Sequence, residues 1–205
     1  MDIGILRLVV RELAVPPYHV SRVSVVPETV DRRENDAEHS FALGLVAVVV
    51  APLVDPTLDQ GLLAKYALIH DLPEIYSGDV SVYADAGDLE KKELREEEAR
   101  ERIRAEFGDR FPWLIDDLYR YKRLDDPESR FVYALDKLLP HMTTLLGDRH
   151  PVKPTWEAYK VTEQVARGKI GATFPALLPL FEELCAEFAL RPEFFAGEIT
   201  SPHAR

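Results

Sequence analysis

Along most of this chain apolar residues recur at intervals of three and four, the spacing of one helix face, and they alternate with polar ones only over the short stretch Val20 to Val26. Residues Glu38 to Pro52 are apolar almost all round and read as a buried helix, entered from the polar stretch Asp31 to Asp36. Phe41, Leu43, Leu45 and Val46 are expected to point into protein there. Leu58 to His70 predicts a second helix, with Leu62, Leu63, Tyr66, Ala67 and Ile69 as its apolar face. Leu89 to Phe107 alternates Glu with Arg or Lys, which predicts a solvated helix laced with i,i+4 pairs and ended by Gly108. Further helices are expected at Pro112–Tyr121, Pro127–Leu146, Trp156–Arg167 and Pro175–Leu190; three of them open on proline, which the first turn tolerates. There is no internal repeat and no Gly-rich phosphate loop. The expected class is all-α.

Length and charge narrow the function. At 205 residues, 46% of them hydrophobic, the chain is expected to form a single domain, 1–205, with its own core. The longest apolar run, Phe41 to Ala51, stops at Pro52, short of the roughly 18 residues of a membrane span, so no membrane association is expected. Nor does Met1 to Arg11 have the basic leader and small-residue cleavage site of a secretory signal. Cys185 is the single cysteine and has no disulfide partner within the chain, which fits a cytoplasmic protein. With 25 basic against 36 acidic residues, the net charge of −11 disfavours nucleic acid polymers. A small phosphate ester needs only a local group of cations.

The chemistry-bearing residues are few. His39 stands at the start of the first buried helix, His70 and Asp71 stand where the second one ends before Pro73, and Asp136 lies in the apolar segment Phe131 to Leu139. Neighbours such as His70 and Asp71 diverge by roughly 100° on a regular helix, so both reach one ion only at a helix end. Two imidazoles and two carboxylates make a first shell for one divalent ion. Each residue also has an ordinary alternative. Asp71-Leu-Pro-Glu74 has the spacing of a capping box, Asp136 could pair with Lys137 or a nearby arginine, and His39 could be a satisfied core residue.

The order of these residues resembles the HD phosphohydrolase superfamily, an all-helical fold named for its His-Asp pair. The likeness spans roughly residues 20 to 185. It rests on Arg32-Arg-Glu-Asn-Asp-Ala-Glu-His39-Ser, on His70-Asp-Leu-Pro-Glu-Ile-Tyr-Ser-Gly-Asp79, on Lys92-Glu-Leu-Arg-Glu-Glu-Glu-Ala99, and on Phe131-Val-Tyr-Ala-Leu-Asp136-Lys. The blocks look like the branch containing the 5′-deoxynucleotidases of bacteria and their eukaryotic relatives. The resemblance implies His39, His70, Asp71 and Asp136 as ligands of one divalent transition metal ion (Mn, Co, Fe, Ni or Zn, with Mg admissible). It implies Glu74 as the catalytic glutamate and Asp79 as a second catalytic-site carboxylate holding substrate or water. Arg32 and Lys92 match basic positions that contact phosphate, and their alternative is exposed surface charge. The reaction implied is release of phosphate from a nucleoside monophosphate.

One departure bears on specificity. Members that select deoxyribose show an Arg and a Trp before the first histidine, whereas this chain reads Ser21-Arg-Val-Ser-Val-Val26. Arg22 matches the arginine and counts as a substrate-binding candidate, but no aromatic residue stands beside it. Two other readings stay open: hydrolysis of another small phosphate ester, and a nucleotide-sensing module without turnover. An apolar stripe of Leu177, Leu180, Phe181, Leu184 and Phe188, with Phe194 and Phe195 in the tail, needs burial in the core or against a second subunit. Together with the homodimers of similar proteins, it leads to the expectation of a homodimer.

Overall fold

The structure is a computed structural model and describes residues 2–29, 31–79, 86–147 and 153–197, with side chains 86–90 left aside. Its helices are α1 (Ile3–Val9), α2 (Asp36–Val54), α3 (Gln60–Ile69), α4 (Glu74–Ser77), α5 (Ala86–Phe107), α6 (Pro112–Arg123), α7 (Pro127–Leu146), α8 (Trp156–Thr173) and α9 (Leu178–Ala189). Helix α7 lies against α2, α3, α8 and α9 and carries much of the core, burying Phe131, Val132, Leu135, Leu138 and Leu139. Among the described residues the chain is all-α apart from one small ribbon: β1 (Ser21–Val25) pairs antiparallel with β2 (Arg33–Asn35), Ser21 opposite Asn35 and Val25 opposite Arg33. The alternation at Val20 to Val26 marked β1, but Arg-Glu-Asn has no strand signature. Only pairing with β1 makes β2 a strand.

Local chemistry sets the helix ends. Helix α2 starts two residues earlier than the apolar pattern suggested because Asn35 and Glu38 form a capping box: Glu38 N–H donates to Asn35 Oδ1 (3.0 Å) and Asn35 N–H to Glu38 Oε2 (3.2 Å). Pro52 does not close α2; it sits inside the last turn, and the helix runs 19 residues. By length and composition alone it is long and apolar enough to cross a membrane, although the apolar run within it is shorter, and core helices meet the same measure. One face of α2, with His39, Leu43, Ala47 and Ala51, is buried in this fold. Phe41 and Leu45, expected inside, are 68% and 53% exposed, because an all-round apolar helix packed on one side leaves the other side out. The C-terminal stripe behaves oppositely: Leu177, Phe181, Leu184, Phe188, Phe194 and Phe195 are buried within this chain, and only Leu180 of the set is exposed.

Candidate metal centre

Five parts of the fold, two of them consecutive in sequence, meet at one point. β1 delivers Arg22, β2 delivers Glu34, the first turn of α2 delivers Asp36 and His39, the junction of α3 and α4 delivers His70, Asp71 and Glu74, and α7 delivers Asp136. His39, His70 and Asp136 are buried, and each offers one ligand atom within 4.8 Å of the others. His39 Nε2 lies 2.9 Å from Asp136 Oδ1, and His70 Nε2 lies 3.8 Å from the same oxygen and 3.0 Å from Asp71 Oδ2. All four expected ligands are thus brought together. His70 is the C-cap of α3, still in helical conformation, and Asp71 follows it in the turn that leads into α4.

The capping alternative for Asp71 fails. Helix α4 has no side-chain cap; the Asp71 carboxylate instead accepts from Arg22 Nη1 at 2.7 Å. The alternative for Asp136 holds in part, since Lys137 Nζ donates to Asp136 Oδ2 at 2.6 Å while Oδ1 faces the two imidazoles. Glu74 is buried beside Asp71, with Lys92 Nζ 3.4 Å from its Oε1 and 3.9 Å from Asp79 Oδ1. Lys92 and Asp79 therefore reach the cluster's edge. Arg32 is half exposed and donates to Glu38 Oε1 at 2.7 Å, which leaves it paired on α2 and not within the cluster.

Glu34 and Asp36 were not singled out from the sequence. Both stand inside the block before His39, where polar residues read as a helix entrance. Asp36 is almost wholly buried and accepts from Arg22 Nη1 at 3.3 Å. Asp36, Asp71 and Glu74 also bring ligand atoms within 4.8 Å of one another, with Arg22 as the cation among them. Tyr121 of α6 places its ring 5.9 Å from His70, edge-on, and no sequence signal marked it.

The electrostatics call for positive charge. Burial and then the charge of Asp71 push Glu74 up to about 9, and the same two causes push Asp36 up to about 7. At His70 burial acts downward, but Asp71 and Asp136 outweigh it and lift the imidazole to about 10. Asp71 and Asp136 are held far below the usual carboxylate range: burial opposes this, and His70 with Arg22, or Lys137 with His39, overcome it. His70 Nε2 is buried with no hydrogen-bond partner despite its nearness to Asp71, and Glu74 Oε2 and Asp36 Oδ2 are orphaned in the same way. Buried polar atoms left unsatisfied are costly. Two imidazole nitrogens among carboxylate oxygens, one nitrogen orphaned, fit a divalent cation of the mixed N/O type.

Comparison with known proteins agrees with this geometry. The profile of the HD domain family matches residues 18–177. A human 5′-deoxynucleotidase is 30% identical over 119 residues, which is 58% of this chain and 56% of that protein, so the match spans little more than half of it. A fission yeast (Schizosaccharomyces pombe) 5′-deoxynucleotidase is 19% identical over 77% of this chain and 87% of its own length. The crystal structure of a predicted metal-dependent phosphohydrolase from Magnetospirillum magnetotacticum superposes with a TM-score of 0.76 at 25% identity, covering 95% of each chain.

Proposed function

Since this chain belongs to the HD domain family, we propose that it is a metal-dependent phosphohydrolase, a 5′-nucleotidase acting on nucleoside or deoxynucleoside monophosphates. The observation that carries the reading is the buried cluster of His39, His70 and Asp136, with the partly buried Asp71 3.0 Å from His70 Nε2, beside Glu74, and with His70 Nε2 left unsatisfied. Those four side chains would hold one divalent ion, for which Mn, Co, Fe, Ni or Zn suits the donors. Bound there, it supplies Lewis acidity toward water and a phosphoryl oxygen. Burial and the charge of Asp71 keep Glu74 protonated; with a cation at the centre offsetting the carboxylates, Glu74 is freed to take the proton of the attacking water. Asp79 lies 3.9 Å from Lys92 and holds that ammonium toward the pocket, where it offsets charge on the phosphoryl group. Arg22 is placed to meet the phosphate through its guanidinium while Asp71 and Asp36 hold it. Arg32 reaches substrate only by leaving Glu38.

Release of inorganic phosphate from paired deoxyribo- and ribonucleoside monophosphates, each with several divalent ions, tests the reading. Turnover of a monophosphate with one of these ions is expected; turnover only of other esters would move the substrate class, and binding without turnover would favour a sensing module. We further propose a homodimer in the cytoplasm. The C-terminal stripe does not support it, being buried within the chain. Support comes from Phe41, Leu45, Val49 and Leu53, which line the outer side of α2 at intervals of four, with Leu68 on the neighbouring α3; each is more than half exposed. Exposed apolar residues grouped in this way mark an interaction surface. Two-fold symmetry lets one such face cover its copy.

A further inference from the structure

The two histidines of the cluster are held by different means. His70 Nδ1 donates to the backbone carbonyl of Ala67 at 2.9 Å, which leaves Nε2 for the centre of the cluster. His39 also turns Nε2 inward, toward Asp136, but among the described residues no backbone carbonyl accepts from its Nδ1. The acceptor facing that nitrogen is Glu34 Oε2, at 3.6 Å. The same oxygen lies 3.6 Å from Arg22 Nε, a buried nitrogen with no hydrogen-bond partner. One carboxylate oxygen therefore faces the outer nitrogen of a metal-ligand candidate and the inner nitrogen of a substrate-binding candidate. Both separations are ion-pair distances a few tenths of an ångström beyond a hydrogen bond.

We propose that Glu34 is a positioning residue that fixes the Nδ1–H tautomer of His39, keeps Nε2 as the metal donor, and ties the histidine to Arg22. This rests on the metal-centre reading above. A ligand histidine needs its second nitrogen held by an acceptor, and loss of such a partner commonly weakens metal binding about 10–100-fold. Glu34 is the buried middle residue of β2, so its placement depends on the short β1–β2 ribbon, not on any helix. That gives the ribbon a task in an otherwise helical protein: it carries Arg22 on one strand and Glu34 on the other, both turned to the same oxygen-rich corner.

Zinc affinity, measured by competition with a chelator, separates this inference from the parent reading. If wild type takes up no zinc, the metal centre and the role of Glu34 fall together. With zinc bound by wild type, Glu34→Ala should bind it about 10–100-fold more weakly. Glu34→Gln keeps a carbonyl acceptor without the charge and should recover most of that loss. Unchanged affinity in Glu34→Ala overturns the proposal and leaves Glu34 as a buried ion-pair partner of Arg22; failure of Gln to rescue overturns the hydrogen-bonded role in favour of charge alone. Should Glu34→Ala not fold, nitrogen-15 NMR of zinc-loaded wild type decides instead. His39 is expected with a metal-bound Nε2 and an exchange-protected Nδ1 proton, and the opposite tautomer would refute the idea.

Discussion

At the scale of the residue, the cluster is a set of carboxylates short of cations, and each ligand candidate can be tested by removing it. Asp71→Ala and His39→Ala should lose bound divalent ion by elemental analysis; metal content equal to wild type in both would dismiss the centre. Glu74→Ala should keep its metal and its helical circular dichroism while turnover falls about 10²–10⁴-fold. No cap is lost with it, since Pro73 and not a side chain opens α4. His141 offers a separate test, away from the centre. Burial between Phe181, Phe188 and Tyr159 pushes its imidazole down to about 4, and one ring nitrogen is unpaired. Above the unfolded value near 6.5 both states are neutral; as pH falls below it the unfolded chain takes the proton first. Stability should therefore decline between about pH 6.5 and 4, by on the order of 3 kcal/mol from this group. In His141→Phe that part of the urea-midpoint decline should vanish.

At the scale of the element, α2 is decisive because its first turn carries both Asp36 and His39. The turn is locked by the Asn35 and Glu38 box, and Asn35→Ala should cost about 1 kcal/mol in denaturant melts. A loss indistinguishable from zero would mean that packing of Leu43 and Ala47, not the cap, sets where α2 begins. Helix α7 shows how much of an element was legible. Its limits, Pro127 to Leu146, coincide with the apolar pattern, since Asp126 caps it, Pro127 opens it and its buried residues recur at helical spacing. β2 was not legible: three polar residues become a strand only because β1 offers them partners.

Across the whole molecule, the outer face of α2 is the feature that asks for a partner. In light scattering at micromolar concentration the wild type should run near twice the 23.3 kDa of one chain. Phe41→Glu with Leu45→Glu should bring the mass to that of one chain without loss of helix content. A wild type that is monomeric and stays so on dilution would sink the dimer.

What the sequence determined by itself was the helical periodicity, most helix positions, and the identity and order of His39, His70, Asp71 and Asp136, because spacing and residue type are local properties of the chain. It also carried the His-Asp pair at a helix end, since Pro73 announces where α3 stops. Tertiary structure alone decided which apolar faces are covered. Leu177 to Phe188 pack inward while Phe41 and Leu45 face out, although both stripes read alike, because burial depends on what a neighbouring helix covers and not on the stripe itself. It also decided that Glu34 and Asp36 stand beside His39, His70, Asp71 and Asp136, that Arg22, a candidate from the sequence, pairs with them there, and that Arg32 pairs on α2 instead. Those assignments rest on strand pairing and through-space charge between residues distant in sequence, which no local pattern records.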